Sequence, residues 1–203
     1  SISGLDPKYR SDNGPLKLSR SSEGNVLSKV YLEAAEQAGY EINNDMNGYK
    51  QEGFGLMVTT IFVGNRQSTS VTYLHPIIKR KNLKVITKTV VHKIMIENNK
   101  AVGIEYSQGE RKKEVYADNE VILSAGAINS PQLLMLSGVG PADHLKKLDI
   151  LVHCNSKGVG ENLQDHLETY LQYECTKPVT LYTSYNPLKM AMIGLEWFVN
   201  KSG

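Results

Sequence analysis

Amide and ionisable side chains are concentrated near residue 160 of this 203-residue chain, where Asn162, Gln164, Asp165 and His166 stand within five positions. A carboxylate beside an imidazole can orient it for proton transfer, so the segment could be a site loop in which Asp165 orients His166. It could equally be a turn whose side chains bond their own backbone. The residues alone leave both interpretations open.

A second candidate is a run of small residues, Ser124-Ala125-Gly126. It follows the apolar segment 120–123, which we predict to be a strand buried on both faces. It precedes a helix that we predict to begin near Ser130-Pro131. Small side chains let the backbone approach a ligand closely, and the end of a helix that carries free N–H groups favours an anion such as phosphate. Helix packing would also explain these residues.

Periodic apolar residues predict the elements that must position these candidates. A helix is expected to begin after Asn25 and to end at Gly39, and a short one to run from Ser68 to Leu74, stopped by His75-Pro76. A closing helix carries apolar residues, from Leu188 to Phe198, that we expect to pack in a core.

Alternating apolar residues predict strands in the middle of the chain. Three short strands near 83–86, 90–96 and 102–106 are expected to form an antiparallel meander with turns at 98–100 and 108–110, and a further strand is expected at 169–174. The fold class that follows is α+β.

Composition excludes several classes of function. A formal charge of +2, with scattered basic residues, gives no support for nucleic-acid binding. No apolar stretch is long enough for a transmembrane segment, and the first residues show no signal peptide. Two cysteines, Cys154 and Cys175, make neither a disulfide framework nor a zinc site, so we predict no metal and a reduced intracellular compartment.

The segment 126–141, GAINSPQLLMLSGVGP, resembles the second signature of the glucose–methanol–choline (GMC) flavin oxidoreductases. Its shared elements are a small pair, Ser-Pro, an aliphatic pair and a closing Ser-Gly-aliphatic-Gly. Similarity to the choline dehydrogenase branch extends over most of the chain. The further matching segments are GYKQEGFG (48–55), RQSTSVTYLHP (66–76), AVGIEY (101–106), EVILSAGA (120–127) and VGENLQDHLE (159–168).

The resemblance implies FAD as cofactor and assigns it candidate binding residues. Val91 matches the position whose main chain meets the adenine, and Ser124, Ala125 and Gly126 match the crossing near the ADP half of FAD. Asn162 and His166 match a segment near the flavin. The resemblance also implies domain boundaries: 1–82 as a substrate-side and connecting segment, 83–166 as part of the FAD-binding domain, and 167–203 as the start of the substrate-binding domain.

Two family motifs do not occur in the sequence, the GxGxxG dinucleotide fingerprint and the catalytic histidine motif. We therefore expect a central fragment of an enzyme that oxidises a small, choline-like primary alcohol, with FAD bound by the parent and not by this segment. No catalytic residue is assigned here.

The expected partners are the alcohol and, through uncovered apolar faces, other copies of the chain. The expected location is the cytoplasm of a bacterium or the periphery of a membrane. The rival interpretations are a non-catalytic folded module without FAD and a nicotinamide-dependent reductase that shares the meander.

Overall fold

A computed structural model describes residues 5–11, 13–20 and 25–201. The chain divides into two compact units, one formed by Ser1–Lys84 with Leu171–Gly203 and the other by Val85–Tyr170. Helices and strands occur together in the described residues, as the predicted class requires.

The helices of the described residues are α1 (Val26–Gln37), α2 (Gly126–Leu136), α3 (Ala142–Lys147) and α4 (Pro187–Asn200). Shorter helical turns are a π-helical turn at Ser70–Leu74 and 3₁₀ turns at His75–Ile77 and Leu181–Ser184. The strands are β1 (Ser19–Arg20), β2 (Val58–Thr59), β3 (Ile61–Phe62), β4 (Asn65–Arg66), β5 (Thr89–Glu97), β6 (Lys100–Gln108), β7 (Arg111–Tyr116), β8 (Val139–Gly140) and β9 (Cys154–Asn155).

Helix α1 begins and ends where the sequence predicts. The Asn25 side chain caps it by accepting the Leu27 N–H at 2.8 Å. Gly39 follows the last turn, and the Gly39 N–H donates to the Glu36 carbonyl. Both ends are therefore set by local residue chemistry.

The short helix predicted from Ser68 to Leu74 differs from the prediction at both ends. It begins at Ser70, although the Ser68 hydroxyl still accepts the Val71 N–H at 3.3 Å. The helical path then continues through Pro76 as a 3₁₀ turn. Proline is tolerated there because it stands in the first positions of the new turn, where its missing N–H has no helical partner to lose.

Residues 85–170 contain the predicted meander as the antiparallel sheet β5–β6–β7. Its two turns lie at Asn98-Asn99 and at Gly109-Glu110, so both predicted hairpins are confirmed. The prediction of a strand at 83–86 is wrong, and the third strand is β7, whose residues are all exposed. Pairing with β6 satisfies the backbone of β7, whereas no described strand pairs with 83–86.

Two further strand predictions are also wrong. Residues 120–123 and 169–174 are extended without strand pairing, and Ile122 is 77% exposed instead of buried on both faces. A strand is defined by the ladder of hydrogen bonds to a neighbour, and no described strand pairs with either segment. An apolar run alone does not supply that neighbour.

Helix α4 forms as predicted, but its apolar side chains do not make a core. Leu188 and Phe198 are each 72% exposed, and no residue described in α4 is buried. The indole N–H of Trp197 donates to the Gly64 carbonyl at 2.7 Å. Helical periodicity predicted the element correctly, while the expected packing was wrong.

None of the described helices combines the length and the apolar character needed to cross a bilayer.

An ion pair in the first unit makes its stability depend on pH. The Arg10 guanidinium donates to Asp45 at 2.6 Å, and this hydrogen bond lowers the pKa of the Asp45 carboxyl. Because the folded pKa lies below the unfolded value of about 4, the stabilisation is complete above that value and is lost as pH falls through the folded pKa.

We expect Asp45→Asn to lower stability at pH 7 and to flatten its decline below about pH 4. Urea unfolding at pH 7 and pH 3 measures both effects. Asp118→Asn is the matched control, since Asp118 is exposed and has no ion pair within the described residues. Equal acid sensitivity of Asp45→Asn and the parent chain would contradict the assignment.

Candidate cofactor-binding site

A cleft of about 590 Å³ lies between β5, the extended segment 121–125 and α2, all within residues 85–170. Val91 lines it from β5, and Ser124 and Ala125 line it from the extended segment. Val91 precedes Ser124 by 33 positions in the sequence. The fold thus brings three of the six predicted cofactor residues to one cavity.

The cleft has apolar walls and a few polar groups. Aliphatic side chains from the sheet and α2, including Ile94, Ile104 and Leu133, form most of its lining. The polar side chains that line it are Thr89, Ser124, Asn129 and Gln132. No lining residue carries a charge, so the cavity suits an uncharged, flat group with a hydrogen-bonding edge.

A buried serine joins α2 to β5 and so holds two walls of the cleft together. Ser137, 5% exposed, accepts the Ile94 N–H at 2.7 Å and donates its hydroxyl hydrogen to the Leu133 carbonyl at 2.6 Å. β5 lies at the edge of its three-stranded sheet, so among the described residues one side of its backbone has no strand partner. Ser137 therefore satisfies a backbone group that no neighbouring strand reaches.

The start of α2 differs from the prediction. The helix begins at Gly126, four residues before Ser130, and Pro131 lies inside it. Gly126 has a φ of +87°, which turns the chain from the extended segment into the helix and which other residues rarely adopt. Ser130 reaches back and accepts the Ala125 N–H at 3.1 Å. Sequence reasoning missed this contact and the role of Ser137, although both serines belong to the signature.

Asn162 lies in a different place. It lines a second cleft of about 560 Å³, between another side of α2 and residues 158–164. Gly126 and His166 line neither cleft. The Asp165 carboxylate accepts the backbone N–H of His166 at 2.8 Å, so this side chain bonds its neighbouring backbone, although residues 161–170 form no turn.

The described part of the chain contains no group of three or more His, Cys, Asp or Glu side chains placed to hold a metal ion. Cys154 and Cys175 are exposed, and they form no disulfide. The cleft beside Val91 is the candidate site because three of the predicted cofactor residues line it.

The sequence model of the GMC oxidoreductase family matches residues 3–168. The chain belongs to the GMC oxidoreductase family. Mitochondrial choline dehydrogenases are similar to this GMC chain: that of Homo sapiens is 52% identical over 196 residues and that of Mus musculus 51% identical over 195. The oxygen-dependent choline dehydrogenase of Brucella ovis is 48% identical over 195 residues.

These alignments cover 96–97% of the GMC chain but only 33–35% of each relative. The chain therefore spans about a third of the length of the curated relatives it matches.

Solved structures share the fold. An FAD-dependent oxidoreductase from Chaetomium thermophilum superimposes with a TM-score of 0.83 at 25% identity, covering 98% of the GMC chain and 35% of that structure. A formate oxidase from Aspergillus oryzae gives a TM-score of 0.80 at 22% identity, covering 100% and 37%, and shows the fold alone. The meander with α2 is thus part of an architecture found in a flavoprotein.

Proposed function

We propose that this chain forms the adenine side of an FAD site in an alcohol oxidoreductase of the GMC family, with choline or a similar small primary alcohol as substrate. The observation that carries the proposal is the cleft that unites Val91 with Ser124 and Ala125. The near 50% identity to choline dehydrogenases supports the substrate class.

The residues of the cleft fit the neutral end of a dinucleotide. Its uncharged apolar walls suit a base, and main-chain groups at the edge strand near Val91 can bond the base edge. The start of α2 at Gly126 adjoins the cleft at Ala125, where the free N–H groups of the first turn favour phosphate oxygens. We assign 83–166 to the FAD-binding domain, and 1–82 and 167–203 to the substrate side. Asn162 and His166 are proposed to lie nearer the flavin.

In this proposal the cofactor carries out the redox chemistry, and the protein binds and positions the cofactor. A bound flavin supplies the hydride acceptor for oxidation of an alcohol carbon. The residues of this chain hold the base against β5, keep water from it with Ile94 and Leu133, and orient the diphosphate near Gly126. No histidine of this chain is assigned the proton-accepting role, so the chain alone is proposed to be inactive.

The proposed partners follow from the same features. The exposed apolar face of α4 supports self-association through side chains such as Leu195 and Phe198. The formal charge of +2 does not support nucleic acid as a partner. The cytoplasm or a membrane surface is the proposed location, while the mammalian relatives are named as mitochondrial.

The test compares the isolated chain with a chimera. We expect micromolar FAD to keep its free fluorescence when the isolated chain is added, because only part of the site is present. Replacing the aligned 196 residues of human choline dehydrogenase by this chain should restore bound FAD and choline-dependent dye reduction. Tight stoichiometric binding by the isolated chain would contradict the partial-site assignment.

A folded chimera without bound flavin would contradict the cofactor assignment. A chimera with flavin but no choline oxidation would contradict only the substrate.

A further inference from the structure

Two carboxamide side chains on α2 line the cleft and form no hydrogen bond within the described residues. Asn129 and Gln132 stand three residues apart, which places them side by side on one helix face, and both line the cavity. Both residues are exposed, and within the described residues neither side chain has a hydrogen-bond partner. The two serines of the same helix, Ser130 and Ser137, are both engaged in fixing its ends.

We propose that Asn129 and Gln132 select adenine by bonding the edge of the base, an inference that rests on the proposed FAD site. A carboxamide carries one acceptor and two donors, which complement the amino group and N7 of adenine, the edge that main-chain bonds near Val91 to the opposite side of the base would leave free. Asparagine and glutamine are the side chains that read adenine by such paired bonds.

The rest of the lining favours the same ligand. Guanine presents two adjacent acceptors, which arginine and lysine recognise best, and the cleft is lined by neither. No lining residue is charged, so the cleft itself offers a phosphate no cationic partner, and the proposed place for the phosphate is the start of α2 at Gly126. The uncharged base, rather than the diphosphate, therefore lies between the sheet and these two amides.

The experiment uses AMP and purine riboside 5′-monophosphate as probes. The second differs from AMP only by lacking the 6-amino group, so the carboxamide oxygen loses its donor. Amide shifts of the full ¹⁵N-labelled chain at 89–91, 121–125, 129–130 and 132–133 report binding in the cleft. We expect millimolar binding of AMP and about tenfold weaker binding of the analogue, one decade of affinity being about 1.4 kcal/mol.

The double variant N129A/Q132A should bring the two affinities within about threefold of each other, mainly by weakening AMP. The variant Q37A/N44A is the control, because both residues are exposed and lie in the other unit. Unchanged amide shifts away from the cleft establish that each variant is folded.

The outcomes distinguish adenine selection by the two amides from the proposed FAD site on which it rests. A tenfold preference for AMP that persists in N129A/Q132A overturns the role of the two amides and leaves the FAD site standing. An equal affinity of the parent chain for both probes overturns adenine selection in the same way. No AMP-induced shift in the cleft overturns adenine selection by the two amides, and the chimera tests the FAD site separately.

Discussion

Gly138→Ala is expected to lower the free energy of unfolding of residues 85–170 by about 2–5 kcal/mol. Gly138 follows the end of α2 with a φ of +81°, a conformation that costs a non-glycine residue about 1–2 kcal/mol. A Cβ there would collide with the Leu151 carbonyl oxygen and lie 2.7 Å from Cδ2 of His153. Overpacking of this kind costs a further 1–3 kcal/mol or so.

The same substitution should disturb the cleft. The Gly138 carbonyl accepts the backbone N–H groups of His153, at 2.8 Å, and of Cys154, at 3.1 Å, so it ties the end of α2 to β9. Movement of this junction loosens Ser137 on β5 and hence one wall of the cavity. We expect the AMP-induced shifts to weaken together with the stability.

Urea unfolding and amide hydrogen exchange in β5 and β6 measure the effect of Gly138→Ala. Gly158→Ala is the control, because Gly158 has open space for a Cβ and no left-handed backbone angle. Its expected effect is neutral or a gain of about 0.4–1 kcal/mol. A loss below about 1 kcal/mol for Gly138→Ala would contradict the assigned clash and backbone strain.

Gly103→Ala is expected to cost about 2–3 kcal/mol by overpacking the meander. Gly103 pairs with Met95 on β5 and with Tyr116 on β7. An added Cβ would meet the Val115 carbonyl oxygen and would lie 2.7 Å from the Met95 methyl carbon and 3.0 Å from Cα of Tyr116. A strand backbone cannot retreat without breaking its ladder, so small-to-large replacement is costly here.

The double variant M95A/G103A separates the two obstacles. Removing the flexible methionine side chain leaves the contact with the Val115 backbone. We therefore expect Gly103→Ala to cost less stability in the Met95→Ala background than in the parent chain, but still to cost some. Thermal unfolding followed by circular dichroism measures each step. If Gly103→Ala costs no stability in the Met95→Ala background, Met95 is the sole obstacle and the predicted clash with the Val115 backbone is wrong.

Sequence reasoning succeeded where neighbouring residues decide the structure. The start of α1 after Asn25 and the turn at Asn98-Asn99 depend on residues a few positions away, and both occur as predicted. It failed for 120–123, where an apolar run predicted a buried strand. Pairing with a neighbouring strand decides that outcome, and no described strand supplies it.

Some residues of the candidate site could be named from the sequence, and others only from the tertiary structure. The resemblance supplied Val91, Ser124 and Ala125, which do line one cleft, and Asn162, which lines another. It assigned no role to Asn129 or Gln132. Their three-residue spacing was visible, but only the packing of α2 against β5 shows that this face borders a cavity.

The amino-acid sequence by itself determined the family, the helix α1 and the two hairpins, because signatures, caps and turns are properties of short segments. Only the tertiary structure decided which side chains meet. Ser137 bonds the Ile94 backbone across 43 residues, and that contact joins the helix of the signature to the strand that carries Val91. Such contacts depend on how the chain closes on itself, and they give the signature residues a cavity to line.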